Sequence, residues 1–222
     1  MSLSPVVFGV SSLFLGSVFV LSAAQIRLPG DNQGYAPKQP IAFSHRLHAG
    51  EMSIDCQYCH FGARQSRHAG VPPASVCMNC HKTVTASLDA AMIEKALASS
   101  EGREPEVIVS PELRKLYDTL ALGEDLLPIE GRDPVSIEWK RVHNLPDFVY
   151  FDHRPHVARN VACETCHGEV QGMERMRQHA DLSMGWCLDC HRSNVNWENT
   201  EPIEGSPKAG QHVSTNCVTC HL

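Results

Sequence analysis

Five pentapeptides of the form Cys-x-x-Cys-His account for every cysteine in this 222-residue chain: Cys56, Cys59 and His60; Cys77, Cys80 and His81; Cys163, Cys166 and His167; Cys187, Cys190 and His191; Cys217, Cys220 and His221. Two thiols separated by two residues present both sulfurs on one turn of backbone. A histidine directly after the second carries its imidazole beneath whatever the sulfurs hold. That is the attachment signal of c-type haem, in which the cysteines form two thioether bonds and the histidine becomes the proximal iron ligand. Repeated Cys-x-x-Cys is also zinc spacing. Zinc, however, does not require a histidine after every second cysteine, and all five pairs have one. No thiol is left over for a disulfide framework. The spacing therefore implies five covalently bound c-type haems.

Four of the five motifs form two copies of one pattern. Phe43-x-His45-x-x-His48 precedes the motifs at Cys56 and Cys77, and Phe151-x-His153-x-x-His156 precedes those at Cys163 and Cys187, with equivalent positions offset by 107–110 residues. Low-spin electron-transfer haems need a sixth ligand, usually His or Met. His45 lies 11 residues before Cys56, close enough to fold back over its own haem. His48, one turn on, points to a different haem, and His153 and His156 repeat both relations. His68, between the two motifs of the first copy, and His143, ten residues before His153, are further distal candidates. Where the first copy has His68, the second has Met173, with Met184 just ahead of Trp186 and Cys187. If the copies are equivalent, one haem is His/Met ligated. Met173 is the first choice and Met184 the second, and packing against a porphyrin face is the alternative for either. His179 and His212 have no counterpart in the repeat and read as surface histidines.

The elements that must position these residues are few and short. Roughly 195 residues follow the apolar N-terminus, too few for five cytochrome domains each with its own core. The haems must pack on one another and supply much of the core. Aromatics are only 6% of the chain, and 14 Pro and 15 Gly interrupt regular structure. The expected fold is mostly irregular and α-helical, a haem-packed domain of two two-haem units plus a C-terminal fifth haem. A net charge of −6, made more acidic by haem propionates, argues against nucleic acid as a partner.

Residues 1–26 contain no charged side chain, and residues 6–24 are predominantly apolar, about long enough to cross a hydrocarbon core as one helix. A cleaved signal peptide ending near Ser22-Ala23-Ala24 is the alternative, but it would lack a basic n-region. No Lys or Arg precedes Arg27, so flanking charge does not orient the segment. Covalent haem attachment puts Arg27 onward outside the cytoplasm, so the expectation is a single-pass membrane protein with its haem domain on the extracytoplasmic side. Residues 27–40 read as a linker, 41–82 as the first two-haem unit, 83–142 as a haem-free insert, 143–192 as the second unit and 193–222 as the segment with the fifth haem. Within the insert, residues 86–98 form an amphipathic helix pattern. Ser110-Pro111-Glu112 opens a second helix that stops at Gly123. Residues 128–134 read as loop and 135–142 as a short strand. The insert carries no redox residues and is either a docking surface for another protein or a spacer.

From residue 34 to 222 the chain resembles the pentahaem cytochrome subunit of alternative complex III, a bacterial membrane quinol-oxidising assembly. The resemblance lies in Pro40-Ile41-Ala42-Phe43-Ser44-His45-Arg46-Leu47-His48-Ala49-Gly50, in Gly70-Val71-Pro72-Pro73 ahead of Cys77-Met78-Asn79-Cys80-His81, in His143-Asn144-Leu145-Pro146-Asp147-Phe148-Val149-Tyr150-Phe151, and in Met184-Gly185-Trp186-Cys187. Residues 6–24 match that family's single membrane helix in kind, though not in sequence. The resemblance implies four bis-His haems and one His/Met haem. It also implies electron transfer from a quinol-oxidising part of a respiratory complex towards cytochrome c or an oxygen reductase. The implied partners are an iron–sulfur protein of molybdopterin-oxidoreductase type, polytopic quinol-binding subunits and monohaem cytochromes.

Three functions compete at this level. An electron relay needs only closely spaced six-coordinate haems and no catalytic residues of its own. A multihaem reductase needs one five-coordinate haem with acid–base residues around it, and no motif marks such an open site. A stand-alone membrane-anchored quinol dehydrogenase needs more than one helix without an intramembrane ionisable group. The relay is the reading these residues favour.

Overall fold

The computed structural model describes residues 32–193 and 213–221; the proposed anchor (1–26), most of the segment leading to the fifth motif, and His212 lie outside them. Among the described residues, no helix is long and apolar enough to cross a membrane. The chain forms a π turn at Arg46–Glu51, then helices α1 (Cys56–Cys59), α2 (Gly62–Gln65), α3 (Ala74–His81), α4 (Leu88–Glu101), α5 (Pro111–Thr119), α6 (His153–Ala158) and α7 (Cys163–His167), a 3₁₀ turn at Val170–Gly172, and helices α8 (Met184–Arg192) and α9 (Cys217–Cys220). Strands are absent among the described residues, which contain only the isolated bridges Leu122–Pro128 and Val149–His221.

Every attachment motif sits on a helix of one to about two turns. Three of these helices begin with a side chain that ties down an unpaired amide: Asp55 accepts from Gln57 N, Ser183 from Trp186 N and Asn216 from Val218 N. Such caps let a helix too short to be stable by propensity hold its shape. The mostly helical and irregular architecture matches the expectation from composition.

The two copies pack reciprocally. The π turn carrying His48 lies on the 3₁₀ turn after the third motif, and α2, which follows the first motif, lies on α6, which carries His153 and His156. Arg46 N donates to the Met173 carbonyl at 3.0 Å, while His153 N donates to the Arg67 carbonyl at 3.2 Å. The Arg46 guanidinium adds an ion pair with Glu174 across the same junction and another with Glu51. Gly50 permits this approach, because a Cβ there would overlap the Gln171 carbonyl oxygen.

The segment 32–40 is tied down along its length. Gly34 N donates to Gln178 O, Gln178 N donates to Tyr35 O, and Gln39 brackets Lys140 through both its side-chain atoms. Gln178 itself is 1% exposed, and its side chain donates to Ala180 O and accepts from Asn144 N.

The insert supplies four of the seven buried apolar side chains among the described residues, Ala98, Leu116, Tyr117 and Ala121. Helix α5 starts as expected, with Ser110 capping Leu113 N and Pro111 in the first turn, but its last helical residue is Thr119. Helix α4 runs from Leu88, capped by Ser87, to Gly102 in the left-handed conformation. Its apolar residues Leu88, Met92, Ile93 and Leu97 face outward, and the buried positions are Glu94 and Ala98. Glu94 is covered because Arg103 and the amide of Glu106 satisfy its carboxylate. The strand expected at 135–142 does not form. Lys140 finds its backbone partners on the Gln39 side chain and Val135 N donates to Thr119 O, so no ladder remains to be built.

Candidate haem-binding sites

Four proximal histidines each face one histidine of the Phe-x-His-x-x-His segments. The ring centres of His45 and His60 are 6.5 Å apart with planes at 9°, and those of His153 and His167 are 6.4 Å apart at 6°. His48 and His81 stand 6.1 Å apart at 62°, and His156 and His191 stand 6.2 Å apart at 37°. Metal–nitrogen bonds of about 2 Å, plus about 1.1 Å from each nitrogen to its ring centre, place two axial imidazoles about 6.2 Å apart. All four pairs meet that spacing.

The ring nitrogens fit the same chemistry. His60 Nδ1 lies 2.6 Å from Gly70 O, His81 Nδ1 2.7 Å from Val84 O and His191 Nδ1 2.9 Å from Ser214 O. On the opposite side, His48 Nδ1 lies 2.9 Å from Ser44 O, His153 Nδ1 2.8 Å from Arg67 O and His156 Nδ1 2.8 Å from Asp152 O. A ring that donates from Nδ1 to a carbonyl keeps its proton there and leaves the Nε2 lone pair for a metal. His45 differs: its Nδ1 is buried with no hydrogen-bond partner. The Met173 carbonyl, counterpart of the Arg67 carbonyl that serves His153, is taken by Arg46 N instead.

A phenylalanine orients each pair of facing histidines. Phe43 meets His45 edge-on at 4.9 Å and stacks on His48 at 4.4 Å; Phe151 meets His153 edge-on at 4.8 Å and lies 4.8 Å from His156. One aromatic ring thus sets two imidazole planes in each copy.

At four of the histidines burial favours the neutral imidazole, the form a metal requires. His45 is pushed down to about 4 by burial, then by His60 and His48. His167 is likewise pushed down to about 4 by burial, then by His143 and His153, and burial also lowers His143 and His156. The thiols move the opposite way. Burial raises Cys59, Cys77, Cys163 and Cys187, and Cys166 rises to about 11. For these five thiols that is the opposite of the depressed pKa a dithiol redox catalyst needs.

The remaining candidates are placed differently. His143 stands against the outer side of His167, its Nε2 3.3 Å from His167 Nδ1 and the rings perpendicular at 4.5 Å. It thus takes the place that a peptide carbonyl fills for the other three proximal rings. His68 is exposed and meets no other imidazole among the described residues. Met173 is buried beside the π turn of the first copy, and Met184, the first residue of α8, is 66% exposed. The ring against His221 is Phe148, 5.7 Å away, so the fifth motif has no facing histidine among the described residues. His179, read from sequence as a surface residue, is exposed, with its ring beside Gly168 directly after the third motif. The carbonyl partners, the two phenylalanines and the His143–His167 contact were missing from the sequence reading. Only the phenylalanines left a signal there, by recurring with the histidines in both copies.

Comparison with known proteins supports the chemistry. Residues 22–104, which hold the first two motifs, match the class III cytochrome C family, and residues 149–222, which hold the other three, match cytochrome c7 and related cytochromes c. A relative from Nitratidesulfovibrio vulgaris (strain Hildenborough), the multiheme cytochrome c subunit of a menaquinone reductase, is 23% identical over 234 residues, covering 96% of this chain and 90% of that protein. Over both copies of its repeat, the chain is similar to cytochromes c that bind several haems covalently.

Proposed function

We propose that this chain is a membrane-anchored five-haem c-type cytochrome that relays electrons between a quinone-reactive part of a respiratory complex and a redox partner outside the membrane, without a catalytic site of its own. The observation that carries the reading is the set of four histidine pairs at 6.1–6.5 Å. Both axial positions are provided for at four sites, so those sites offer no opening for a substrate. The c-type haem supplies reversible one-electron chemistry when bound. The chain's own residues would hold it: ten cysteines would bind it covalently, and His45, His48, His153 and His156 would serve as second ligands opposite four of the proximal histidines, with burial holding His45, His156 and His167 below their ordinary pKa. His68, Met173 and Met184 remain candidates for the fifth sixth-ligand position.

The finer version follows the resemblance to alternative complex III: electrons arrive from quinol oxidation and leave towards cytochrome c or an oxygen reductase. The partners are then an iron–sulfur protein, polytopic quinol-binding subunits and monohaem cytochromes, with the haem domain on the periplasmic face of the inner membrane. The name of the Nitratidesulfovibrio relative favours the opposite direction, delivery of electrons towards menaquinone. Gentle solubilisation of native membranes, identification of co-purifying subunits by mass spectrometry, and assay in both directions test the proposal. Polytopic and iron–sulfur subunits with quinol-to-cytochrome activity support the first version, and donor-to-menaquinone activity supports the second. A chain that purifies alone and turns over an oxyanion overturns both. Carbon monoxide or cyanide should leave the absorption spectrum of the relay nearly unchanged.

A further inference from the structure

We infer that the five attachment sites lie in one row in the order second, first, third, fourth, fifth, and not in their order along the chain. The inference rests on the reading that all five motifs carry haem.

The second and first sites are joined by a single stretch of backbone, since His45 faces His60 and His48, one turn on, faces His81. The motifs also touch directly: Asn79 Nδ2, inside the second, donates to Tyr58 Oη, inside the first, at 3.0 Å. The first and third sites meet where the copies pack reciprocally. The Arg67 carbonyl, seven residues past His60, accepts from both the backbone N and the Nδ1 of His153, whose ring faces His167. On the other side of the same junction the π turn lies on the 3₁₀ turn after the third motif. The third and fourth sites share α6 just as the first and second share the π turn, with His153 facing His167 and His156 facing His191. The fourth and fifth are joined by His191 Nδ1, 2.9 Å from the Ser214 carbonyl three residues before Cys217.

The last junction is braced a second time, since Tyr150 N, ahead of the third site's facing histidine, donates to the Cys220 carbonyl of the fifth motif at 2.7 Å. The row is therefore a symmetric four, built by pairing two copies through their first members, with the fifth site added at one end. Its other end, the second site, is bounded by the haem-free insert, where Tyr117 Oη donates to the His81 carbonyl at 2.6 Å.

Neighbouring haems feel one another's charge, and that gives a test on the unmodified holoprotein. Intact mass first counts haems per chain. Paramagnetic NMR then follows the assigned methyl signals of each haem through a stepwise redox titration. In the proposed row, a change of oxidation state at the second site shifts the midpoint of the first and of no other, while a change at the first shifts both second and third. A second-site change that shifts the third as strongly as the first overturns the row while leaving the five-haem reading intact. Fewer than five haems by mass overturns that reading and takes the row with it.

Discussion

An imidazole binds iron through a nitrogen that carries no proton, and two features of the four histidine pairs secure that nitrogen. Carbonyl groups fix the proton on Nδ1 in six of the eight rings, and burial holds several of the imidazoles below their ordinary pKa. Replacing His45 or His153 with Ala should convert one haem to the high-spin form, seen as a new high-spin signal by electron paramagnetic resonance; if neither variant shows it, the pairings are wrong. His143 should behave differently, as a positioning residue. His143→Ala should leave all haems low-spin yet shift the midpoint potential of one, because the His167 ring loses the acceptor on its outer nitrogen. His143→Gln, which restores an acceptor, should recover most of the shift, whereas a high-spin haem in either variant would make His143 an iron ligand. At this scale the sequence was informative where a pattern of side chains repeats. The Phe-x-His-x-x-His repeat pointed to the facing histidines. It was silent on Ser44, Arg67, Gly70, Val84, Asp152 and Ser214, whose main-chain carbonyls do the work and which any residue type could supply.

The elements divide between those set by local chemistry and those set by tertiary contacts. Ser110 with Pro111 and Ser87 are helix-start signals, and both helices begin where those residues place them. The expected strand at 135–142 failed because alternation of side chains says nothing about whether a partner strand exists. Helix α4 turns its apolar residues outward because the inward position is taken by a carboxylate with its own clamp. Arg103 and the Glu106 amide hold Glu94 at about 2, below its ordinary 4.5. A carboxyl group whose pKa is depressed by folding contributes stability above its unfolded value and loses it as pH falls through the folded one. Hydrogen-exchange protection in α4 should therefore be full above about pH 4.5 and fall towards pH 2; Glu94→Gln should be weaker at neutral pH and show little of that acid loss. Gly168 is a second local test. Its φ of +70° and ψ of −169° lie in a region essentially reserved for glycine, and a Cβ would come within 2.6 Å of His179 Cγ. Gly168→Ala should destabilise the fold by about 1–3 kcal/mol, measurable as a lowered thermal midpoint. A Gly168→Ala protein with an unchanged melt would mean that the turn after the third motif is not held as described.

Across the whole molecule, the internal repeat becomes an exchange. Each copy's histidine-bearing turn rests on the segment after the other copy's first motif, and Gly50 is the point where the two backbones come nearest. The duplication itself was plain in the sequence, from the 107–110-residue offsets. The reciprocal packing was not, because the hydrogen bonds that make it rely on the main-chain carbonyls of Arg67 and Met173, which any residue type could supply. Residues 32–40 likewise have a Pro- and Gly-rich composition that reads as a tether, but their backbone is pinned to Gln178 and the Gln39 side chain to Lys140.

In both copies the histidines that face the attachment motifs precede those motifs in the chain: His45 and His48 come before Cys56, and His153 and His156 before Cys163. A polypeptide synthesised N-terminus first presents each of these histidines before the thiols it would serve. Were haem attached as those thiols emerge, the second histidine for each of the four sites would already have been made, and closing the site would not have to wait for downstream sequence.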